Sequence, residues 1–151
     1  MKKLIATVLL TGLPLAALAE GSAIMVHDGY ARAANPRSGA AFMTLMNSGT
    51  ADCTLASVQT PASEKAELHT SKEVDGVMKM LPADPIVVPA GGEATLARGG
   101  DHVMLMGLTQ PLANGDEVAL TLDFGDCGTV EAKLPVDNDR KADAGGESHA
   151  H

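Results

Sequence analysis

Aromatic residues, basic residues and cysteines are all scarce in this 151-residue sequence, and these scarcities exclude several classes of function. There is no tryptophan, and one tyrosine and two phenylalanines are too few for a surface on which bases stack. Acidic residues outnumber basic ones by 19 to 11, which opposes binding to nucleic acid or to an anionic membrane. No Ser/His/Asp arrangement and no glycine-rich phosphate loop is present. Nothing in the sequence therefore indicates an enzyme.

Long apolar runs are missing after the first 19 residues. Lys2 and Lys3 precede a short apolar run, and Ala17-Leu18-Ala19 supplies a small-residue cleavage site, so residues 1–19 are interpreted as a signal peptide. The alternative, a membrane anchor, is disfavoured because glycine and proline interrupt the run. The sequence therefore predicts export to the periplasm, with no membrane insertion of the mature chain, whose domain spans residues 20–136.

Only two cysteines are present, Cys53 and Cys127. In an oxidising compartment two such distant cysteines are expected to form a disulfide, which stabilises a small domain by about 2 to 4 kcal/mol. The alternative is a pair of thiolates that bind a metal. If the disulfide forms, any metal must be held by ligands that tolerate oxidation.

Short stretches rich in apolar residues, separated by turn signals such as Asp75-Gly76, predict an all-β fold without helices. The predicted strands are residues 23–31, 40–46, 53–58, 65–70, 77–81, 86–88, 93–97, 102–108, 118–124 and 129–136. Short strands at this spacing indicate an antiparallel sandwich or barrel. From Asp137 onward the sequence is polar and charged, so residues 137–151 are predicted to be a disordered tail.

Histidine and methionine occur together on the predicted strands. Side chains two residues apart on a strand share a face, so His102 and Met104 point the same way. His69 falls on the polar face of its strand, and Met80 follows the hairpin turn. The residues expected in the core are Val103, Leu105, Met25, Met43 and Met46, and His27 is interpreted as structural.

Two imidazoles and two thioethers favour one metal ion in particular. Thioethers are soft, neutral ligands that prefer Cu(I) to zinc, magnesium or calcium, and imidazole also suits copper. Such a set tolerates an oxidising compartment, where free thiols would form disulfides. No cysteine lies near these strands in the sequence to complete a blue-copper site. The pattern therefore predicts a Cu(I) site.

The spacing of the four residues resembles a known signature. Ten residues separate His69 from Met80, twenty-one separate Met80 from His102, and one separates His102 from Met104. This spacing is similar to the motif of the periplasmic PCuAC copper chaperones. Other segments similar to that family are Glu67 to Thr70, Asp75 to Met80, Val88 to Gly92, Gly99 to Leu108, Gly39 to Met43 and Asn47 to Gly49. The resemblance covers roughly residues 23–136.

The resemblance implies a cupredoxin-like Greek-key β-sandwich that binds one Cu(I) through His69, Met80, His102 and Met104. It also implies delivery of the ion to cytochrome c oxidase subunit II or to a Sco-type thiol protein. The alternative is a copper storage or resistance protein that binds copper without specific delivery. In the tail, His149 and His151 are candidates for a secondary Cu(II) site, although the composition there favours solvated disorder.

Overall fold

The structure is a computed structural model that describes residues 22–141, and the predicted signal peptide lies outside this range. The strands are β1 (Ile24–Asn35), β2 (Ser38–Asn47), β3 (Cys53–Leu55), β4 (Ser57–Gln59), β5 (Ser63–Val74), β6 (Val77–Pro82), β7 (Ile86–Val88), β8 (Glu93–Leu96), β9 (His102–Leu108), β10 (Glu117–Asp123) and β11 (Thr129–Pro135). A single 3-10 turn, η1 (Gly125–Cys127), is the only helical element among the described residues. No helix within that range could cross a membrane.

The strands form one large sheet and two smaller ones. The main sheet has the order β1-β2-β9-β5-β6, with β8 also pairing with β2. The second sheet has the order β11-β10-β4, and β3 pairs with β7. All of these strand pairs are antiparallel. Because β9 lies between β2 and β5, strands distant in the sequence become neighbours, and the predicted all-β Greek-key sandwich is confirmed.

The core lies between the sheets and takes alternate residues from each strand. On β9, Val103 and Leu105 are fully buried, as predicted, while Leu120 and Leu122 of β10 enter the same apolar cluster from the second sheet. The opposite face of the main sheet carries the residues that alternate with these buried ones, including His102 and Met104. We call it the outer face.

Two methionines that were expected in the core lie on the outer face instead. Met43 is buried, but Met25 is 55% exposed and Met46 is 40% exposed. Met25 pairs with Met46 across β1 and β2, and directly paired residues share a face. The prediction for these two residues was wrong because the strand alternation that buries Ile24, Met43 and Leu45 turns them outward.

The predicted strand at residues 53–58 is two strands in the structure. It is interrupted at Ala56, so that β3 pairs with β7 while β4 pairs with β10. Cys53 of β3 and Cys127 of η1 form the predicted disulfide, with their Cα atoms 5.8 Å apart. The bridge therefore joins β3 to the turn that follows β10.

The first residues of the predicted tail contact the sandwich. The Asp137 amide donates to the Ala31 carbonyl at 2.9 Å, and the Asn138 side chain accepts from the Ala33 amide at 2.8 Å. The Arg140 guanidinium pairs with Asp28 and lies over the Tyr30 ring, 4.2 Å from its centroid. Ordered contacts thus continue along the chain through Arg140.

Candidate metal centre

The four predicted ligands lie on three neighbouring strands of the main sheet. His69 belongs to β5, Met80 to β6, and His102 and Met104 to β9. His69 pairs directly with His102, and Met104 pairs with Glu67. Met80 pairs with Ser71, two residues beyond His69 on the same strand. Since paired residues and alternate residues share a face, the register brings all four side chains to the outer face.

His102 is held in place from several sides. It is 2% exposed, and its ring lies beside that of Phe42, with centroids 6.0 Å apart. Its Nδ1 lies 3.0 Å from the Gly100 carbonyl oxygen, which can only accept, so Nδ1–H is the donor. The same carbonyl accepts from the Ser71 amide at 3.2 Å. The loop before β9 is therefore tied both to the imidazole and to β5.

His69 has an equivalent partner on its own strand. Its Nε2 lies 3.2 Å from Oε2 of Glu67, and its side chain is 14% exposed. Hydrogen bonds from Lys65 and then from His69 lower the pKa of the Glu67 carboxyl. Glu67 is therefore an ionised acceptor at neutral pH, and Nε2 of His69 carries the proton.

These hydrogen bonds leave one nitrogen on each ring with its lone pair available. Nδ1 of His69 and Nε2 of His102 are buried and have no hydrogen-bond partner among the described residues. The two rings are 6.2 Å apart between centroids. A buried polar atom without a partner costs free energy unless something binds it, and a neutral imidazole nitrogen is a metal donor. Two such atoms on adjacent rings fit a metal ion.

The two thioethers differ in how accessible they are. Met104 is half-buried on the central strand β9, between Ala40 of β2 and Glu67 of β5. Met80 is 61% exposed on the edge strand β6. Met80 and His102 both line a pocket of about 270 Å³, together with residues of β1, β2 and the loop before β9. The register therefore places one half-buried and one exposed thioether on the same sheet face as the two imidazoles.

The ligands that zinc and calcium prefer are not clustered among the described residues. Between residues 22 and 141, no group of three or more His, Cys, Asp and Glu side chains could hold a metal ion. The carboxylate beside the imidazoles, that of Glu67, already pairs with Lys65 and with the His69 ring. The thioethers that share the face prefer copper to zinc or calcium. The candidates for a Cu(II) site, His149 and His151, lie outside the described residues.

Sequence reasoning missed the two acceptors that orient the imidazoles. Glu67 precedes His69 by two residues and so shares its face, a signal that strand alternation alone could have supplied. The Gly100 carbonyl was not predictable in this way, because its direction depends on the turn through Gly99, where φ is 87°. Each acceptor selects which nitrogen of its histidine is free.

The family follows from comparison with known proteins. Residues 24–136 match the LpqE-like family, which is described as a lipoprotein family. The chain belongs to the LpqE-like family. A relative of this chain, Lxx21020 of Leifsonia xyli subsp. xyli (strain CTCB07), is named as a lipoprotein. It is 32% identical over 118 residues, which are 78% of this chain and 71% of the relative.

Solved structures similar to this LpqE-like chain are PCuAC domains and a copper-bound protein. The apo PCuAC domain of PmoF1 superimposes with a TM-score of 0.65 at 24% identity, covering 77% of this chain and 94% of that domain, and shows the fold. DR1885 of Deinococcus radiodurans, in solution with Cu(I), has a TM-score of 0.57 at 36% identity, covering 77% of this chain and 80% of DR1885. Its apo form has a TM-score of 0.60 at 30% identity, covering 95% of this chain and 97% of DR1885. The predicted relationship to the PCuAC proteins is confirmed.

Proposed function

We propose that this protein binds one Cu(I) ion through His69, Met80, His102 and Met104 and carries it to a copper-receiving protein. The observation that supports the site is the pair of buried imidazole nitrogens without partners, beside two thioethers on one sheet face. The relationship to DR1885, whose structure was solved with Cu(I), supports the choice of ion. The role is that of a carrier and not of an enzyme.

The charge of the ligand set explains why Cu(I) is preferred to Cu(II). All four side chains are neutral, so the bound ion keeps its full charge out of water, which costs less for Cu(I) than for Cu(II). Thioethers also favour the softer ion. The Glu67 carboxylate contributes its charge through the His69 ring and does not need to touch the metal. The resulting site would hold Cu(I) without using thiols.

Delivery requires that a partner can reach the ion. Met80 lies on an edge strand whose six residues are all exposed, so the ion would be covered least from this side. A recipient with thiolate ligands could replace Met80 first and then take the ion by ligand exchange. The recipients we propose are cytochrome c oxidase subunit II and Sco-type thiol proteins.

The disulfide and the predicted leader support the periplasm as the compartment that we propose. A disulfide persists in an oxidising compartment such as the periplasm, and the predicted signal peptide would direct the chain there. The relative in Leifsonia xyli is named as a lipoprotein. Both cysteines of this sequence, Cys53 and Cys127, are joined to each other, so neither offers a thiol for an acyl chain. We therefore propose export as a soluble protein.

Competition with a chromophoric Cu(I) chelator under anaerobic conditions tests the site. The wild-type protein should bind one tight ion per chain, and a Met80→Ala/Met104→Ala double variant should lose it. The matched control is Met78→Ala/Met106→Ala, since these methionines share the outer face but lie one alternate position farther from the histidines. Equal binding by the test and control variants would contradict the proposal.

Transfer experiments separate delivery from storage. The Cu(I)-loaded protein is mixed with the apo copper domain of oxidase subunit II or with an apo Sco-type protein, and metal-sensitive NMR signals of both are followed. Delivery predicts that the ion leaves this protein for the recipient. Retention of the ion by this protein against both recipients would favour storage or resistance instead.

A further inference from the structure

A second group of soft donors lies at the other end of the outer face. Met25 and Met46, both exposed, are directly paired across β1 and β2. His27 is exposed and follows Met25 by two residues on β1, before the irregularity that separates His27 from Tyr30. Because the pairing is regular from Ile24 to His27, all three side chains point to the same side of the sheet.

The spacing of this group repeats that of the first site. Met25 and His27 are separated by one residue on a strand, as His102 and Met104 are. The Cβ atoms of paired residues such as Met25 and Met46 lie about 4.5 to 5.5 Å apart, which lets two flexible thioethers turn toward one ion. His27 pairs with Thr44, which makes it the diagonal neighbour of Met46, and diagonal neighbours lie within reach of long side chains.

The carboxylate of Glu93 belongs to a residue that lies beside the two methionines in the sheet. Glu93 of β8 pairs with Met46 on the side away from Met25, so Met25, Met46 and Glu93 form one row across three strands. A pocket of about 410 Å³ is lined by these three residues and by Asn47, Ser48, Gly91 and Gly92. His27 lies outside this lining, two residues beyond Met25 on β1. The negative charge of Glu93 would attract a cation to a place where two neutral sulfur atoms already face solvent.

We propose that Met25, His27 and Met46 form a second site for a soft monovalent ion, Cu(I) or Ag(I). Two thioethers and one imidazole match such an ion and match hard divalent cations poorly. With three ligands, all exposed, this site binds more weakly than the site between β5, β6 and β9. It does not depend on that first site, since the two share no ligand.

The two sites are far enough apart to be occupied together. On β2, Phe42 contacts the His102 ring, and Met46 lies four residues farther along the same strand. Four residues of a strand span about 13 Å, beyond the distance over which two exposed charges interact strongly at physiological ionic strength. A second ion can therefore bind without displacing the first.

Titration with Ag(I), monitored through the 13C-labelled methyl groups of methionine, tests the second site. The first equivalent should shift the Met80 and Met104 signals, and a further equivalent should shift Met25 and Met46 together with the His27 ring. In a Met25→Leu/Met46→Leu variant the second step should disappear while the first remains. Leucine preserves the volume and apolar character at both positions, so the fold is retained.

The reciprocal variant keeps the two sites distinguishable. Met80→Leu/Met104→Leu should lose the first step and keep the second, so a failure of the first site would not hide the second. Met25 and Met46 signals that stay unmoved up to three equivalents of Ag(I) would overturn the proposal. A second step that appears only with dimer formation, measured by sedimentation, would overturn it too, because the ion would then bridge two chains.

Discussion

The two halves of the proposed copper site differ in how tightly the fold holds them. His69, His102 and Met104 lie on β5 and β9, which are paired on both sides within the main sheet. Met80 lies on β6, an edge strand with every residue exposed. One half is therefore pre-arranged before an ion arrives, and the other is open to solvent.

This difference suits a protein that must both bind an ion and release it. Fixed imidazoles whose donor atoms are already selected reduce the ordering that binding requires. An exposed thioether can leave the ion without disturbing the core, since the inner-face residues Val103 and Leu105 belong to the central strand and not to β6. Affinity should therefore depend mostly on the buried half, and the rate of release mostly on the exposed half.

The largest expected effect is that of His102→Ala. Loss of a hydrogen-bond partner of a metal ligand can lower the metal affinity by about 100-fold. His102→Ala removes the most buried ligand itself, so the Cu(I) affinity should fall by more than that. Chelator competition measures it, and His27→Ala, a change at an exposed histidine, is the control that should leave the first ion in place. If His102→Ala weakened binding no more than Met80→Ala does, the buried half would not dominate the affinity.

Met80→Ala should have a smaller effect and a different kinetic character. We expect the Cu(I) affinity to fall by about 10-fold, mainly through faster release, and the free energy of unfolding to change by less than about 0.5 kcal/mol because the residue is exposed. Stopped-flow transfer to the chelator measures the release, and urea unfolding measures the stability. A large loss of stability would show that β6 supports the core.

Glu67→Ala tests whether the orientation of His69 matters. Without the carboxylate, the His69 ring should populate both tautomers, and the Cu(I) affinity should fall by about 10-fold. Glu67→Gln should restore much of this loss, since an amide oxygen still accepts from Nε2. The 15N shifts of the imidazole in the metal-free protein report the tautomer directly, so an unchanged tautomer in Glu67→Ala would contradict the role.

The smallest expected effect on copper is that of Gly76→Ala in the turn between β5 and β6. Gly76 has a φ of 80°, and alanine there should lower the free energy of unfolding by about 1 kcal/mol. The pairing of β6 with β5 should persist, so the Cu(I) affinity should change by about twofold at most. A much larger change in affinity would mean that the turn, and not the strand pairing, positions Met80.

Much of the fold was predictable because strand alternation and turn residues act locally. Asp75-Gly76 predicted the hairpin between β5 and β6, and Val103 and Leu105 were correctly predicted in the core. Alternation cannot say which of two faces becomes the core when both carry apolar residues. Met25 and Met46 were misplaced for that reason, since only packing of the second sheet decides which face of β1 and β2 is buried.

The candidate site was predictable as a set of residue types but not as an arrangement of atoms. Histidine and methionine at His69, Met80, His102 and Met104 pointed to a soft metal because ligand chemistry belongs to the side chains themselves. Which nitrogen of each imidazole is free depends on an acceptor, and for His102 that acceptor is a backbone carbonyl set by a turn. Such contacts have no signature in composition or spacing.

The sequence by itself determined the strand pattern, the available ligand chemistry and the two cysteines that can pair. These are properties of single residues and their near neighbours, so they can be read in order along the chain. Only the tertiary structure decided that β9 lies between β2 and β5, and thus that His102 faces His69 from 33 residues away. That proximity arises because strands pair according to which faces can be buried together, and burial depends on the whole chain.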